Sequence, residues 1–118
     1  MKILKIFTGL ILMLVMVFSA SGIYAHPPSD VALDYDGDTG ILHVKVEHSV
    51  GDPGSHFVNE YTVEVDNELV YKLEAVKQMG SSATEAVFVL PGLDKGAELQ
   101  VIAKCNKFGS RKGVLVVD

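Results

Sequence analysis

The sequence has one cysteine, no tryptophan and four prolines in 118 residues, and its 15 acidic residues outnumber its 10 basic ones. Each shortage excludes something. A lone Cys105 makes no internal disulfide, and without a cysteine pair or a tryptophan the chain is not an antibody-type domain. A net charge of −5 with no basic stripe excludes nucleic acid and anionic membrane surfaces as partners. Beyond residue 25 no segment holds the 3.6-residue period of an amphipathic helix. Gly51, Gly54 and Gly109 do not form a phosphate-binding pattern. Ser49 beside His48 and Ser55 beside His56 are sequence neighbours. Adjacent strand residues point to opposite faces, so neither is a nucleophile–base pair. No internal repeat or low-complexity stretch is visible.

What is present begins with a leader. Lys2 and Lys5 precede an uncharged apolar run from Ile6 to Phe18, followed by the small residues Ser19 to Gly22 and then Ile23-Tyr24-Ala25. A basic end, an apolar stretch and a small residue at the cut site describe a secretory signal peptide over residues 1–25, with cleavage after Ala25. An uncleaved leader would instead be a membrane anchor, since residues 6–25 carry no charge and are just long enough to span a bilayer. Either way the chain is expected to be exported: secreted, periplasmic or at the cell surface. Residues 26–118 suffice for one small domain with a single core. An exported thiol that lacks a disulfide partner is exposed to oxidation unless it is buried or metal-bound. Cys105 is therefore either a small buried apolar residue or a functional thiol.

The domain alternates. Val31, Leu33 and Tyr35 share one face of a first strand, and Asp36-Gly-Asp-Thr-Gly40 reads as a hairpin turn rather than a calcium loop. Ile41 to His48 is the clearest strand. Leu42, Val44, Val46 and His48 form its core row, while Ile41, His43, Lys45 and Glu47 face away. A breaker-rich loop, Val50 to Ser55, precedes His56. Phe57, Tyr61, Val63 and Val65 are expected on the inner face of the next strand, which turns at Asp66-Asn-Glu68 and returns over Leu69 to Leu73. Strands follow over Thr84 to Leu90, over Glu98 to Cys105 with Leu99, Val101, Ala103 and Cys105 on one face, and over Gly113 to Val117. Ala75 to Ala83 carries no clear pattern. About seven short strands with regular turn signals predict an all-β, immunoglobulin-like antiparallel β-sandwich.

The candidate site is His48, His56 and Cys105. Imidazole and thiolate suit a redox-active transition metal. Each of the three sits at a strand end, and strand ends gather at the two poles of a sandwich. His26 and His43 are weaker metal candidates. His43 belongs to the solvent-facing row. His26-Pro-Pro reads as a solvated arm, which after cleavage could chelate copper through its amine and ring.

Two segments carry a family resemblance. His48, a Pro-containing loop and then His56-Phe-Val-Asn-Glu-Tyr-Thr-Val resemble the central segment of the superoxide reductases, the iron-binding domains of the desulfoferrodoxin and neelaredoxin family. Cys105-Asn106-Lys107-Phe108-Gly109 resembles that family's Cys-Asn-x-His-Gly segment. The resemblance spans residues 41–117, within a desulfoferrodoxin-like domain over 26–118. It implies a β-sandwich holding iron by four equatorial histidines and an axial thiolate, reducing superoxide at an open sixth position. By position His48 and His56 would be equatorial ligands and Cys105 axial. An electron-donor protein is the implied partner. The sequence departs from the family at several points. Phe108 stands where the last histidine belongs, and the His48–His56 loop is two residues longer. Ser49-Val50 replaces Pro-Met, Glu60 stands where tryptophan is common, and the early Glu-Lys-His segment has no counterpart. Three of the five ligands are matched. The resulting expectation is an exported metal-binding redox domain, with iron, or alternatively copper, at an incomplete superoxide reductase-like site. The other class that fits is a metal-free β-sandwich serving in binding or adhesion.

Overall fold

The computed structural model describes residues 26–118; the leader assigned to 1–25 lies outside the described residues. Seven strands follow in order: β1 Asp30–Asp36, β2 Ile41–Glu47, β3 Val58–Val65, β4 Glu68–Glu74, β5 Ala83–Val89, β6 Glu98–Cys105 and β7 Ser110–Val116. All pairings are antiparallel. They form a three-stranded sheet, β1-β2-β5, and a four-stranded sheet, β4-β3-β6-β7. The described residues contain no helix. Residues 26–118 thus form an all-β, immunoglobulin-like antiparallel sandwich, as the alternation and turn spacing predict.

The core follows from the period of two. Leu42, Val44 and Val46 from β2 and Ala86 and Phe88 from β5 meet Tyr61 and Val63 from β3 and Leu99, Val101 and Ala103 from β6. Each fully buried Val, Leu or Phe contributes about 1.5–3 kcal/mol by leaving water, so the matching inner rows fix which face of each strand turns in. Gly113 lets the two sheets close at one edge. A Cβ there would lie 2.5 Å from the carbonyl oxygen of Val31, so β7 passes under β1 only because it has no side chain at that point. The β3–β4 hairpin turns on Asp66 and Asn67, both in the left-handed region at φ 50° and 67°, which suits the two-residue turn of a right-twisted hairpin.

Two details differ from strict alternation. Val58, not Phe57, enters the core. The register of β3 against β6 shifts between Val58 and Glu60, so Asn59 is an extra residue in a β-bulge. A bulge moves everything before it to the opposite face, and periodicity extended back from Tyr61 therefore assigns Phe57 wrongly. The last strand also begins at Ser110 rather than Gly113, because Ser110, Arg111 and Lys112 pair with Lys104, Ala103 and Ile102 although no apolar row marks them.

These pairings sort the connections to two ends. The arm before β1 and the loops 48–57, 75–82 and 106–109 lie at one end. The turns 37–40, 66–67 and 90–97 lie at the other.

Candidate metal centre

The first end brings together residues distant in sequence. Ligand atoms of His48, His56 and Cys105 all lie within 4.8 Å of one another. Ligand atoms bound at about 2.0–2.3 Å to one ion stand roughly 3–4.5 Å apart, depending on the angle between the bonds, a spacing near that of this cluster. The cluster could hold a metal.

His48 is carried there by the β2 row one residue past the strand, and its main-chain N–H donates to the Ser82 carbonyl at 2.9 Å. It is fully buried, and its orientation is set by Gln78. The Gln78 Nε2 donates to the carbonyls of His48 and Gly80 at 2.8 and 2.9 Å, and its Oε1 accepts from the Val58 N–H at 3.2 Å. With the amide so fixed, the His48 Nδ1 facing Oε1 at 2.8 Å must be the protonated nitrogen. The His48 Nε2 faces the main-chain carbonyl oxygen of His26 at 3.2 Å. Fixing the tautomer through the second ring nitrogen is how outer partners of metal-bound histidines act.

His56 is presented by a tight turn in which the Asp52 carbonyl accepts from the N–H groups of Ser55 and His56 at 3.1 and 2.9 Å. Asn106 then clamps the segment. Its Oδ1 accepts from the Phe57 N–H, its Nδ2 donates to the Ser55 carbonyl, both at 2.9 Å, and its N–H donates to the Phe57 carbonyl. Because Asn106 follows Cys105 directly, the clamp sets His56 against the thiol, with Nε2 and Sγ 3.1 Å apart. Burial, then the neighbouring His48, His26 and Lys107, holds His56 below its ordinary pKa, which favours the neutral, ligating form. Cys105 is buried at the end of the β6 row and accepts from the Lys107 N–H at 3.4 Å.

The remaining histidines divide. His43 is exposed on the outer face of β2, between Asp34 and Val87 of the neighbouring strands, and is not brought to the cluster. His26 is brought there. Its ring centroid lies 5.1 Å from that of His48 and 5.4 Å from that of His56. The arm is therefore not a solvated tail: Pro28 is fully buried, and the Ser29 N–H donates to the Glu47 carbonyl at 2.8 Å. Phe108 is 63 % exposed and offers no donor atom, so the cluster lacks a ligand from that position. Neither Gln78 nor the clamp by Asn106 is predicted from sequence. Gln78 lies in the stretch without alternation, and nothing in its neighbours marks it.

No protein-family model matches the chain, and comparison with curated proteins finds no match.

Proposed function

We propose that this protein is an exported redox domain holding a single metal ion, iron in the first place and copper as the alternative, at His48, His56 and Cys105, in the manner of the superoxide reductases that its His48–Val63 and Cys105–Gly109 segments resemble. The observation that carries the reading is the convergence of two imidazoles and a buried thiol within 4.8 Å from three separate segments. Lys2, Lys5 and the apolar run after them support export. The donor set suits a first-row metal with mixed nitrogen and sulfur preference. It falls short of the family's five ligands, since His43 and Phe108 lie outside the cluster.

An iron ion so held would supply one electron, and superoxide taking that electron and two protons leaves as hydrogen peroxide. The chain's own residues have simpler tasks. Gln78 holds the ring of His48 in place through Nδ1. Asn106 keeps His56 beside Cys105. The Lys107 N–H, facing Sγ, steadies negative charge on sulfur. An electron-donor protein returns the spent electron. The test is to load the protein with iron(II) without oxygen, measure the peroxide formed per superoxide consumed by this reduced form, and oxidise a second portion to record the visible spectrum. A sulfur-to-metal charge-transfer band that disappears in Cys105→Ser, with one peroxide per superoxide, is expected. A folded protein without such a band contradicts the reading.

The alternative, a metal-free binding or adhesion module, draws on a different observation. The edge strand β4 is exposed along its whole length and presents Leu69, Val70, Tyr71 and Leu73. A folded protein that takes up no metal would leave this reading standing.

A further inference from the structure

Most of the large apolar side chains exposed to water lie on the edge strands β4, β5 and β7. Among the described residues only Val76, Met79 and Phe108 belong to connections, and they are the most exposed of all, at 83, 75 and 63 %. Val76 and Met79 stand on the loop 75–82 and Phe108 on the loop 106–109, so all three lie at the end that gathers His48, His56 and Cys105. The connections of the opposite end carry none. The loop 75–82 is turned inside out. Its polar Gln78 is buried, with its main-chain N–H donating to the Pro53 carbonyl at 3.0 Å, and the Met79 N–H donates to the Thr84 Oγ1 at 3.2 Å. Those bonds fix the backbone and leave the two apolar side chains outside. Apolar groups held in water on one face mark a surface that something covers.

The charge at this end suits an anionic cover. The negative balance of the whole chain argues against an anionic surface, but that balance is unevenly placed. The connections here carry Lys77 and Lys107 against Asp52 alone, and those of the other end carry Asp38, Asp66 and Asp94 against Lys95. At the strand ends, Asp30, Glu47 and Glu74 are accompanied by Lys104 and Arg111 on the first side, while Asp36, Glu68 and Glu98 flank the second. An anionic surface therefore repels one end and accepts the other. Lys77 follows Val76 and Lys107 precedes Phe108, and a cation beside an apolar anchor is the pairing that holds a chain at a lipid–water interface.

The place where the chain enters the domain points the same way. Residues 1–25 join it at His26, and only residues 19–25 separate the apolar run from that point. The arm they lead into is fixed at this end. The Arg111 Nε donates to the Pro28 carbonyl at 3.1 Å. Pro27 packs on Gly109, the neighbour of Phe108, where a Cβ would come within 2.9 Å of the Pro27 Cβ. A leader retained in a bilayer would hold this end against it, and not the acidic one.

We infer that this end of the sandwich is a membrane-facing surface, in which Phe108, Met79 and Val76 enter the interface of an anionic lipid bilayer and Lys77 and Lys107 lie against its head groups. The inference is independent of metal binding, and it holds whether or not the leader is removed.

The chain has no tryptophan, so a single introduced one reports its own surroundings. Phe108→Trp, Met79→Trp and, as a control, Val116→Trp, exposed at the opposite end, are each made in the full chain. They are mixed with vesicles of phosphatidylcholine and phosphatidylglycerol in equal parts, and far-UV circular dichroism confirms that each is folded. Phe108→Trp and Met79→Trp should emit at shorter wavelength on the vesicles and be quenched by bromine on the lipid acyl chains. Val116→Trp should do neither. Adding Lys77→Glu and Lys107→Glu to Phe108→Trp should raise the lipid needed for half the shift about tenfold or more, since each lysine near such a surface contributes about fivefold. A shift undiminished by these two changes would overturn the electrostatic part. Vesicle-bound chains in which Phe108→Trp and Met79→Trp keep the emission they have in water would overturn the inference: the leader alone would then hold the chain, with this end left open to a protein partner. Chains that leave the vesicles unbound, or equal shifts at all three positions, would overturn it as well.

Discussion

The two ends of the sandwich are built from the same kind of connection and use their polar residues in opposite ways. At the end holding the turns 37–40 and 66–67, the polar side chains of the turns bond in exposed positions, Asp36 within its own turn and Asp66 across to β6. The Asp36 carboxylate accepts from the Asp38 N–H at 2.9 Å, and the Asp66 carboxylate accepts from the Glu98 N–H at 2.9 Å, both in exposed positions. At the other end Gln78, Asn106, His48, His56 and Cys105 are bonded to residues 20 to 51 positions away, and most are buried. Water replaces a lost bond at the first end and cannot at the second. One end closes turns. The other gathers buried polar groups around His48, His56 and Cys105.

Substitutions at matched positions sharpen that contrast. Gln78→Ala should have the largest effect, because it leaves the Val58 N–H and the His48 Nδ1–H buried without partners. At about 1–3 kcal/mol for each of the two groups, urea unfolding should show a loss of about 2–6 kcal/mol, and metal affinity should fall about 10–100-fold as the ring of His48 loses its fixed orientation. An ion bound at 100 times its dissociation constant should raise stability by about 2.7 kcal/mol, seen as a higher melting temperature that Cys105→Ser does not share. Asn106→Ala should cost about 1–2 kcal/mol through the lost clamp. Asp36→Ala, at the other end, should stay within about 0.5 kcal/mol. Equal costs at Asn106 and Asp36 would break the comparison.

The smallest effect concerns pH. His56 is held below its ordinary pKa in the folded chain, so the unfolded chain takes up its proton first as pH falls. The metal-free domain should therefore lose stability as pH drops below about 6.5, the loss ending once pH passes the lowered folded value. Melting temperatures across pH 4–8, compared with His56→Gln, would check this, since the variant should lack that step.

How much of this was legible in the sequence depends on whether a residue obeys a period. Leu42, Val44, Val46 and His48 share one face of an unbroken strand, and Leu99, Val101, Ala103 and Cys105 share a face of another, so the inner rows and the inward places of His48 and Cys105 could be read directly. His43 belongs to the opposite row and lies on the outer face as its position dictates. The period fails at Asn59, where one inserted residue exchanges the places of Phe57 and Val58. It has nothing to say of Gln78, whose role depends on a loop folding back over two strands. The docking of the arm is hidden from the sequence for a related reason. His26-Pro-Pro has the composition of a tail, and its docking depends on Gly109 and Arg111, more than eighty residues away.

The most direct measurement is the metal-to-chain ratio of the protein purified without oxygen and offered iron and copper separately, beside Cys105→Ser. One ion per wild-type chain, and markedly less in Cys105→Ser, is the predicted result. A folded wild-type protein that retains no metal, or one that retains the same amount without Cys105, would contradict the assignment of this end of the sandwich as a thiolate-ligated metal centre.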